Sequence, residues 1–565
     1  MFEVNLRKSV LLLLALLCLT PGRAERNRGR LNNLVCFVRF LGEEDEDVFE
    51  NPFSVYEQLF NDESEGANSV YNYFREASYG QLFWKSSFWP VAGNGRVVSY
   101  RTANERGYYK KKSSINELGY ESDVEKAARE QALVREIAAW LAQTLPEEVE
   151  LDADADGIID NMCIVLSGRS ELGNSHLLWP HRSDLALPDE KAIYIRGKKL
   201  VGYLMVFDDA NGWASLEPVP LNTGVICHEM SHSLGTYDLY HVSDGLNPVG
   251  VWDLMSDNLL VPQQMSAYTK YRYCGWLDEI PEISEPGRYE LRPVGGSTRE
   301  NVAYKIKPVG SEEYFVVEYR RKEGPFDSGL PESGMLVYRI NPAYTGGNVN
   351  YNGTTRLDEV YIFRPGGTPT SDGHIGKAAF SAESGRTAFG GEAEVKPFYS
   401  DGSVARFALT QISSCGETLS FNLEKLGNQI KLSEKAVSMN GGAEEKLQLT
   451  VEADVDWVAG ALPAWLKLTP LSGKVGKTAV VLETLTENAT PRERAAEVVF
   501  TSPSDESLRA VLTVRQCSNV ILPPSGLKAR TTETGLVELT WTAPQEGAPV
   551  LADGFEDVSN PHGWT

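Results

Sequence analysis

Two histidines four residues apart enclose a glutamate, because residues 228–232 read His-Glu-Met-Ser-His. On a helix, residues four positions apart lie on one face, so both imidazoles can reach the same metal ion. Glu229 follows the first histidine and can reach an attacking water without binding the metal. With 7 histidines and 78 acidic residues in 565 positions, only about 0.01 chance matches are expected. The pattern therefore predicts metal-assisted hydrolysis rather than two solvated histidines on a surface helix.

The residues after His232 supply a turn and a third donor. Gly235 falls where the helix must end, and glycine tolerates the left-handed turn that ends many helices. Asp238 lies six residues past His232 and is the predicted third ligand. Met255, 23 residues past His232, stands in a predicted tight turn. The string HExxHxxGxxD with a methionine turn is typical of zinc peptidases of the metzincin type.

Two features depart from the usual metzincin pattern. The third ligand is usually histidine, and although an oxygen donor suits zinc, three residues are alternatives to Asp238: Asp244, His241 and Asp253. Two residues past the methionine, Asp257 stands where tyrosine is usual. Stabilisation of the transition state must then come from another residue. Tyr237 and Tyr240 are candidates, although packing aromatics is the simpler interpretation of both.

Several strings together resemble the immune inhibitor A-type family of secreted bacterial metallopeptidases. They are residues 228–240, 252–256, 73–82, 156–160, 179–182 and 331–338. The resemblance runs from about residue 31 to 425. It implies a secreted endopeptidase with one catalytic zinc held by His228, His232 and Asp238, and with calcium for stability. Glu229 is then the general base, which takes the proton of the attacking water and passes it to the leaving amine.

A second acidic string alternates carboxylates, at Asp152, Asp154, Asp156 and Asp160. Oxygens two residues apart can converge on one hard cation, and Gly157 suits a sharp turn, so the string predicts a calcium site. Its twelfth position is Cys163, where an EF-hand has a bidentate glutamate, so it is not an EF-hand. The alternative is a solvated acidic turn. His181, in a Trp-Pro-His-Arg string, is predicted to be a hydrogen-bonded structural histidine rather than an active-site residue.

Composition limits the classes of function that remain. A hydrophobic content of 42% with 10% aromatic residues excludes disorder as the main state. The net charge of −24 disfavours nucleic acid as a partner. Residues 1–24 carry a basic start, a short apolar run and a small residue at the break, which predicts a secretory signal peptide rather than a stable membrane insertion. We therefore expect a secreted or cell-surface bacterial protein.

The expected fold is multidomain, with an α/β metzincin-like catalytic domain followed by all-β sandwich domains. Mixed strands and helices predict a catalytic domain at 25–280, and alternating strands predict a β-sandwich at 281–427. Residues 428–518 resemble a BACON-type module, which acts as a spacer or binds glycans through tryptophans such as Trp457 and Trp465. Residues 519–565 resemble the start of a fibronectin type III or cleaved-adhesin region.

The predicted function is that of a secreted zinc endopeptidase acting on proteins or peptides. Two alternatives remain open at this point. One is an adhesin that binds carbohydrate or host matrix and carries a vestigial peptidase domain. The other is a peptidase directed at mucins or other glycoproteins, which would combine both activities. The six cysteines outside the signal peptide are expected to be buried small side chains, with one or two disulfides open.

Overall fold

The computed structural model describes residues 27–169, 179–185, 191–209, 219–242, 244–308, 311–348, 358–425, 429–520, 525–533 and 535–542. The predicted signal peptide lies outside these ranges, as does the predicted fibronectin or adhesin segment from residue 543 onward. The chain divides into two compact units. The first comprises 1–402 with 407–425, and the second comprises 403–406 with 426–565. The predicted domain boundaries at 280 and 427 remain predictions.

The first unit contains sixteen strands among the residues described. They are β1 (Gly29–Arg39), β2 (Leu82–Phe88), β3 (Tyr100–Arg101), β4 (Asn161–Arg169), β5 (His181–Asp184), β6 (Ile193–Ile195), β7 (Lys198–Leu200), β8 (Gly202–Asp209), β9 (Gly287–Leu291), β10 (Ala303–Ile306), β11 (Tyr314–Arg320), β12 (Gly334–Ile340), β13 (Val360–Ile362), β14 (Phe389–Gly390), β15 (Phe407–Thr410) and β16 (Leu419–Lys425). Its helices are α1 (Asp45–Val48), α2 (Phe53–Asn61), α3 (Val70–Ala77), α4 (Asp123–Thr144), α5 (Thr223–Ser233), α6 (Ala267–Thr269) and α7 (Gly324–Asp327). Short helical turns lie at Arg106–Tyr109, Gly250–Trp252, Lys270–Cys274 and Ile375–Lys377.

A mostly parallel sheet organises the N-terminal half of this unit. Its strand order is β2-β1-β4-β8-β5, with β3 also paired to β1. The pairs are parallel except at the edge, where β5 runs antiparallel to β8. Strands β1, β4 and β8 are buried along most of their length, as expected for a parallel sheet that is covered on both faces.

Helices cover both faces of this sheet. Successive side chains of β1 alternate between the two faces. Leu34, Cys36 and Val38 share a core with α4, whose buried residues recur at the spacing of an amphipathic helix. On the other face, Val35 and Phe37 share a core with residues of α3 and α5. The helix that carries the candidate metal ligands is therefore packed directly on the sheet.

The C-terminal part of the first unit is a pair of antiparallel sheets, in the orders β10-β11-β12-β13 and β14-β15-β16-β9. Aromatic rings from both sheets meet in its core: Phe315 and Phe363 of the first contact Phe407 and Phe389 of the second, with ring centroids 4.9 and 5.2 Å apart. The multidomain, β-rich part of the predicted fold is confirmed.

The second unit contains two further antiparallel-rich sheets, ordered β17-β19-β23-β21 and β18-β25-β24-β20-β22, and the hairpin β26-β27. Its strands are β17 (Ile430–Leu432), β18 (Ala436–Met439), β19 (Lys446–Ala453), β20 (Trp457–Ala459), β21 (Leu466–Thr469), β22 (Ser472–Gly473), β23 (Gly476–Thr484), β24 (Arg494–Ser502), β25 (Asp505–Gln516), β26 (Ser525–Thr531) and β27 (Val537–Thr542). Trp457 is fully buried against Phe500, and the guanidinium of Arg494 covers the ring of Trp465. Trp457 therefore presents no open face for stacking on a sugar, and Arg494 covers one face of Trp465.

Two details add to the expectations from sequence. Strand β1 begins at Gly29, and its mainly polar residues 29–33 pair in register with β2. All six cysteines of the described ranges are free thiols, and four of them are buried. In addition, none of the helices described is both long and apolar enough to cross a membrane.

Candidate metal centre

Helix α5 brings the two histidines together. The side chain of Asn222 caps its first turn by accepting a hydrogen bond from Val225 N at 3.2 Å. At the other end, Gly235 adopts a φ of +93°, the left-handed conformation expected at that position. The rings of His228 and His232 lie 5.1 Å apart between centroids. The chain then turns back, so that Asp238, six residues past His232, returns to both rings.

Asp238 is the third donor of the group. Its Oδ1 lies 3.1 Å from Nε2 of His228 and 3.3 Å from Nε2 of His232. The donor atoms of the three residues all lie within 4.8 Å of one another. Among the residues described, no other partner accepts or donates at the Asp238 carboxylate. The three alternatives named from sequence lie outside this group: Asp244, His241 and Asp253.

The second ring nitrogen of each histidine is held by a backbone carbonyl. Nδ1 of His228 donates to Leu254 O at 2.8 Å, and Nδ1 of His232 donates to Thr236 O at 3.0 Å. A hydrogen bond of this kind fixes the ring orientation and keeps the proton on Nδ1. Each Nε2 then faces the space shared with Asp238 and donates to its carboxylate, and loss of that proton leaves the neutral tautomer that a metal ligand requires.

The electrostatics of the group also suit a cation. Burial alone would lower the pKa of His228, but the hydrogen bond to Asp238 and the charges of Glu229 and Asp238 raise it to about 9. Burial would raise the pKa of Asp238, yet the hydrogen bonds from both histidines hold it well below its ordinary value. The group thus favours positive charge at the point where the three donors meet. Two imidazole nitrogens and one carboxylate oxygen form a donor set that suits zinc.

Glu229 lies beside this group on the same helix. The residue is 8% exposed. Within the described part of the chain, its carboxylate has no hydrogen-bond partner. A buried carboxylate that no neighbour engages is available to accept a proton from a water molecule, as a general base must.

The methionine turn supports the first and third donors through its backbone. Leu254 O accepts from His228, and Met255 O accepts from Leu239 N at 2.7 Å. Asp253 is fully buried and holds this turn rather than a metal, because it accepts from Met255 N, Ser266 N and Thr269 Oγ1. Asp257 accepts a hydrogen bond from Asn247 at 2.5 Å. A carboxylate held in this way does not replace the hydroxyl of the usual tyrosine.

The other predicted residues lie around the centre. Tyr237 is 43% exposed and meets the ring of Tyr273 edge-on, with centroids 5.4 Å apart, and Tyr240 is half-buried. His241 is bound to Asp358 at 2.6 Å and to Asp244 at 2.9 Å. His181, at the start of edge strand β5, bonds Glu130 of α4 through Nε2 at 2.7 Å and Trp179 O through Nδ1.

The aspartate string forms a separate loop. Asp152, Asp154 and Asp156 bring one carboxylate oxygen each to within 4.8 Å of the others. Asp160 lies outside that group, because its Oδ2 accepts from the backbone N–H groups of Asn32 and Ala153 at 2.9 Å. Asp152 also pairs with Lys198 at 2.6 Å. Three of the four predicted calcium ligands are therefore adjacent, and the fourth holds the loop against β1.

Several supporting residues have no signal in the sequence that would have identified them. Leu254 acts through its backbone carbonyl, which any residue provides. Glu130 lies 51 residues before its partner His181. Asn348 and Glu359 come from the β-sandwich, and Asn348 lies 110 residues beyond Asp238 along the chain. Only the two glycines before Asn348 give a local signal, and they indicate no more than a turn.

Comparisons with known proteins bear on the region that contains this centre. Residues 64–261 match the family model described as immune inhibitor A peptidase M6, catalytic domain. No curated protein matches the chain.

Three solved structures are among those that match part of this chain. A Bacteroides ovatus GH5 xyloglucanase in complex with a XXXG heptasaccharide is 13% identical over 19% of this chain and 30% of its own, with a TM-score of 0.15. The chain thus spans less than a third of that enzyme. The PapD-like domain 7 of human CEP192 is 14% identical over 17% of this chain and 87% of its own, with a TM-score of 0.14. The Salmonella enterica SafA pilin in complex with the SafB chaperone is 14% identical over 19% and 65%, with a TM-score of 0.15.

The family match covers both the donor group and the aspartate loop. It extends from before α3 to just beyond the methionine turn and so includes every residue of the candidate centre. Peptidases of this family act on proteins and use a catalytic metal. The match over residues 64–261 supports an immune inhibitor A-type metallopeptidase with protein substrates.

Proposed function

We propose that this chain is a zinc-dependent endopeptidase in which His228, His232 and Asp238 hold the metal and Glu229 is the general base. The observation that carries the proposal is the pair of Nδ1–carbonyl hydrogen bonds, which turns both Nε2 atoms toward the Asp238 carboxylate. Incidental surface histidines would have no reason to be oriented in this way. The family match over the same residues supports the proposal independently.

The mechanism follows from what each residue can do. When bound, zinc lowers the pKa of water toward about 7 and polarises the scissile carbonyl. Glu229 accepts the proton of the attacking water and delivers it to the leaving amine. Leu254 O and Thr236 O hold the histidine rings in the tautomer that binds metal, through their hydrogen bonds to Nδ1. The burial of His228 and Glu229 limits the bulk water that competes for the proton.

The site of action is part of the same proposal. Residues 1–24 have the features of a secretory signal, so we propose that the enzyme acts outside the cell, on extracellular or host proteins. Calcium bound by Asp152, Asp154 and Asp156 would stabilise the catalytic domain, with Asp160 bracing the loop. We propose that the BACON-type module at 428–518 is a spacer, because Trp457 is buried and Trp465 is covered by Arg494.

The rival proposal is an adhesin with a vestigial peptidase domain. It requires that the centre has lost a part needed for catalysis, yet both histidines, the general base and a third donor are present. A glycoprotein-directed peptidase is a narrower form of the favoured proposal. Cleavage of casein compared with cleavage of mucin, before and after deglycosylation, separates that form from general proteolysis.

The test is the substitution Glu229→Gln, which removes the base and changes the side chain least. We expect peptidase activity to fall by about 100- to 10,000-fold, since proton transfer by a general base typically contributes that much. Bound zinc should remain at the wild-type level, because Glu229 is not a ligand. The matched control is Glu57→Gln, the same change at an exposed position of α2. Full activity in Glu229→Gln would overturn the assignment.

A further inference from the structure

The backbone of the third donor is held on both sides. On one side, Leu239 N donates to Met255 O at 2.7 Å. On the other side, Asn348 N donates to Asp238 O at 2.9 Å, and Asn348 Nδ2 donates to Leu239 O at 3.1 Å. The segment that carries Asp238 therefore lies between the methionine turn and a loop of the β-sandwich, between β12 and β13.

Asn348 is a rigid bridge rather than a surface contact. The residue is fully buried. Its Nδ2 also donates to Val360 O at 2.8 Å, and its Oδ1 accepts from Val360 N at 3.1 Å. Val360 begins β13, so one amide side chain joins a strand of the β-sandwich to the residue that follows Asp238. Both the Nδ2 and the Oδ1 of this side chain therefore have hydrogen-bond partners, as is usual for a buried amide.

Gly347 allows the close approach of the two backbones. Its φ is +77°, and a Cβ at this position would lie 2.1 Å from Asp238 O. Gly347 N donates to Glu359 Oε2 at 2.7 Å. Glu359 is fully buried, and its other oxygen accepts from Tyr268 and Tyr273 at 2.8 and 2.5 Å. The hydrogen bond to Glu359 thus restrains the backbone of Gly347. A side chain at this position would clash with the backbone carbonyl of Asp238 and displace it.

Asp238 depends on this support more than the histidines do. Each histidine has a helix beneath it and a carbonyl on its second nitrogen. Among the residues described, the carboxylate of Asp238 has hydrogen bonds only to the two histidines. Because no other hydrogen bond orients this side chain, the position of its backbone decides how far the carboxylate reaches toward the metal.

We propose that Gly347 and Asn348 are positioning residues that set the third metal donor, so that the β-sandwich is part of the metal centre. This inference rests on the proposed zinc function. It goes beyond that function by placing a determinant of metal affinity in residues 281–425, outside the segment that matches the peptidase family. Residues whose hydrogen bonds orient metal ligands typically change metal affinity by about 10–100-fold when substituted.

The experiment compares two alanine substitutions at adjacent glycines in the full chain. Gly347→Ala and Gly346→Ala both place alanine at a positive φ, +77° and +94°, so both carry the same kind of backbone strain. At Gly346 the nearest atoms to a Cβ are ring carbons of Tyr237 at 3.9 Å, which is ordinary contact. The measurement is zinc affinity by competition with a chromophoric chelator, with thermal unfolding as the check on folding.

We expect Gly347→Ala to lower zinc affinity by about 10–100-fold, while Gly346→Ala stays within about twofold of wild type. Combined with Asp238→Ala, Gly347→Ala should have little further effect, because the donor it displaces is already gone. A general loss of structure would instead lower affinity in both backgrounds. Wild-type affinity in a folded Gly347→Ala protein overturns the proposal, and so does an equal loss in both glycine variants.

A second variant decides the question if Gly347→Ala does not fold. Asn348→Ala removes the bridge between Leu239 and Val360 and introduces no bulk, and we expect zinc affinity to fall by about tenfold or more. Unchanged affinity in this variant overturns the proposal. The wild-type chain serves as the reference for the underlying function. If it binds no zinc, the zinc peptidase proposal fails; if it binds zinc and both variants bind equally well, only the positioning role fails.

Discussion

The two groups of side chains that could hold a metal ion are supported in different ways. In the group of His228, His232 and Asp238, side-chain exposures are 8%, 17% and 20%, and remote backbone carbonyls orient both rings. In the aspartate loop, Asp154 and Asp156 are exposed. The hydrogen bonds of that loop come mostly from its own backbone, such as Asp156 N to Asp152 Oδ1 at 2.9 Å.

The contrast shows what separates a built metal site from a cluster of acids. A metal ligand whose other polar atom is already hydrogen-bonded loses little conformational freedom when an ion binds. The ion therefore binds tightly, and its loss removes function. Exposed carboxylates that repel one another gain order only when a cation arrives. We therefore expect the first group to govern catalysis and the second to govern stability. Three substitutions test that division.

The largest effect is expected from removing one ring donor, in His232→Ala. Loss of a direct ligand should lower zinc affinity by more than the roughly 100-fold that is typical of outer partners. Peptidase activity should fall with it. The matched control is His374→Ala, at an exposed histidine in the β-sandwich part of the unit. The measurements are zinc content and casein hydrolysis on both proteins. If His232→Ala retained its zinc, the proposed difference between the two metal groups would be wrong.

An intermediate effect is expected at Asp160, in the aspartate loop. Burial raises its pKa from 3.8 to about 7, and the charges of Asp154 and Asp152 add to the rise. The folded state therefore binds a proton that the unfolded state releases, so stability falls as pH rises from about 4 to about 7. We expect this group to contribute a fall of about 1–3 kcal/mol in the free energy of unfolding without calcium, which is less than the full pKa shift implies because solvent screens the partly exposed carboxyl group.

The measurement is the free energy of unfolding against pH for wild type and Asp160→Asn. The substitution should flatten the decline between about pH 4 and pH 7. Saturating calcium should also flatten it in wild type, since a bound cation offsets the repulsion among the carboxylates. Parallel pH curves for the two proteins would mean that Asp160 ionises freely in the folded state.

The smallest effect is expected from calcium itself. At ten times its dissociation constant, a ligand that binds only the folded state stabilises it by about 1.4 kcal/mol. Thermal unfolding in calcium against chelator should then show a rise in midpoint of roughly 1–3 °C. Asp156→Asn should abolish the rise, whereas Asp47→Asn, at an exposed site outside the loop, should preserve it. A calcium shift that survives in Asp156→Asn would place the ion elsewhere.

The sequence predicts the local parts of the centre well and the remote parts poorly. The sequence predicts that one helix carries His228 and His232 and ends near Gly235, and the structure has a helix at Thr223–Ser233. Gly235 predicts the turn that returns Asp238. These features depend on residues close together in the chain, where helical period and glycine conformation decide the outcome.

Contacts over long separations could not be predicted in the same way. Asn348 meets Leu239 only because the β-sandwich folds against the sheet domain, and no local pattern encodes that meeting. The burial of a residue is equally hard to predict from local sequence. Trp457 could have bound a sugar or belonged to the core, and the pairing of β20 with β24 places it in the core against Phe500. Strand β1 likewise includes the mainly polar residues 29–33, because they pair with β2, which lies about 50 residues later in the chain.

The most direct test of the central claim is metal content and proteolysis measured on one preparation. Elemental analysis gives the zinc stoichiometry, and casein hydrolysis is then followed with and without a zinc chelator. The zinc peptidase proposal predicts one zinc per chain and cleavage that the chelator abolishes and added zinc restores. A chain that contains no zinc, or one that hydrolyses casein equally well after the metal is removed, would contradict it.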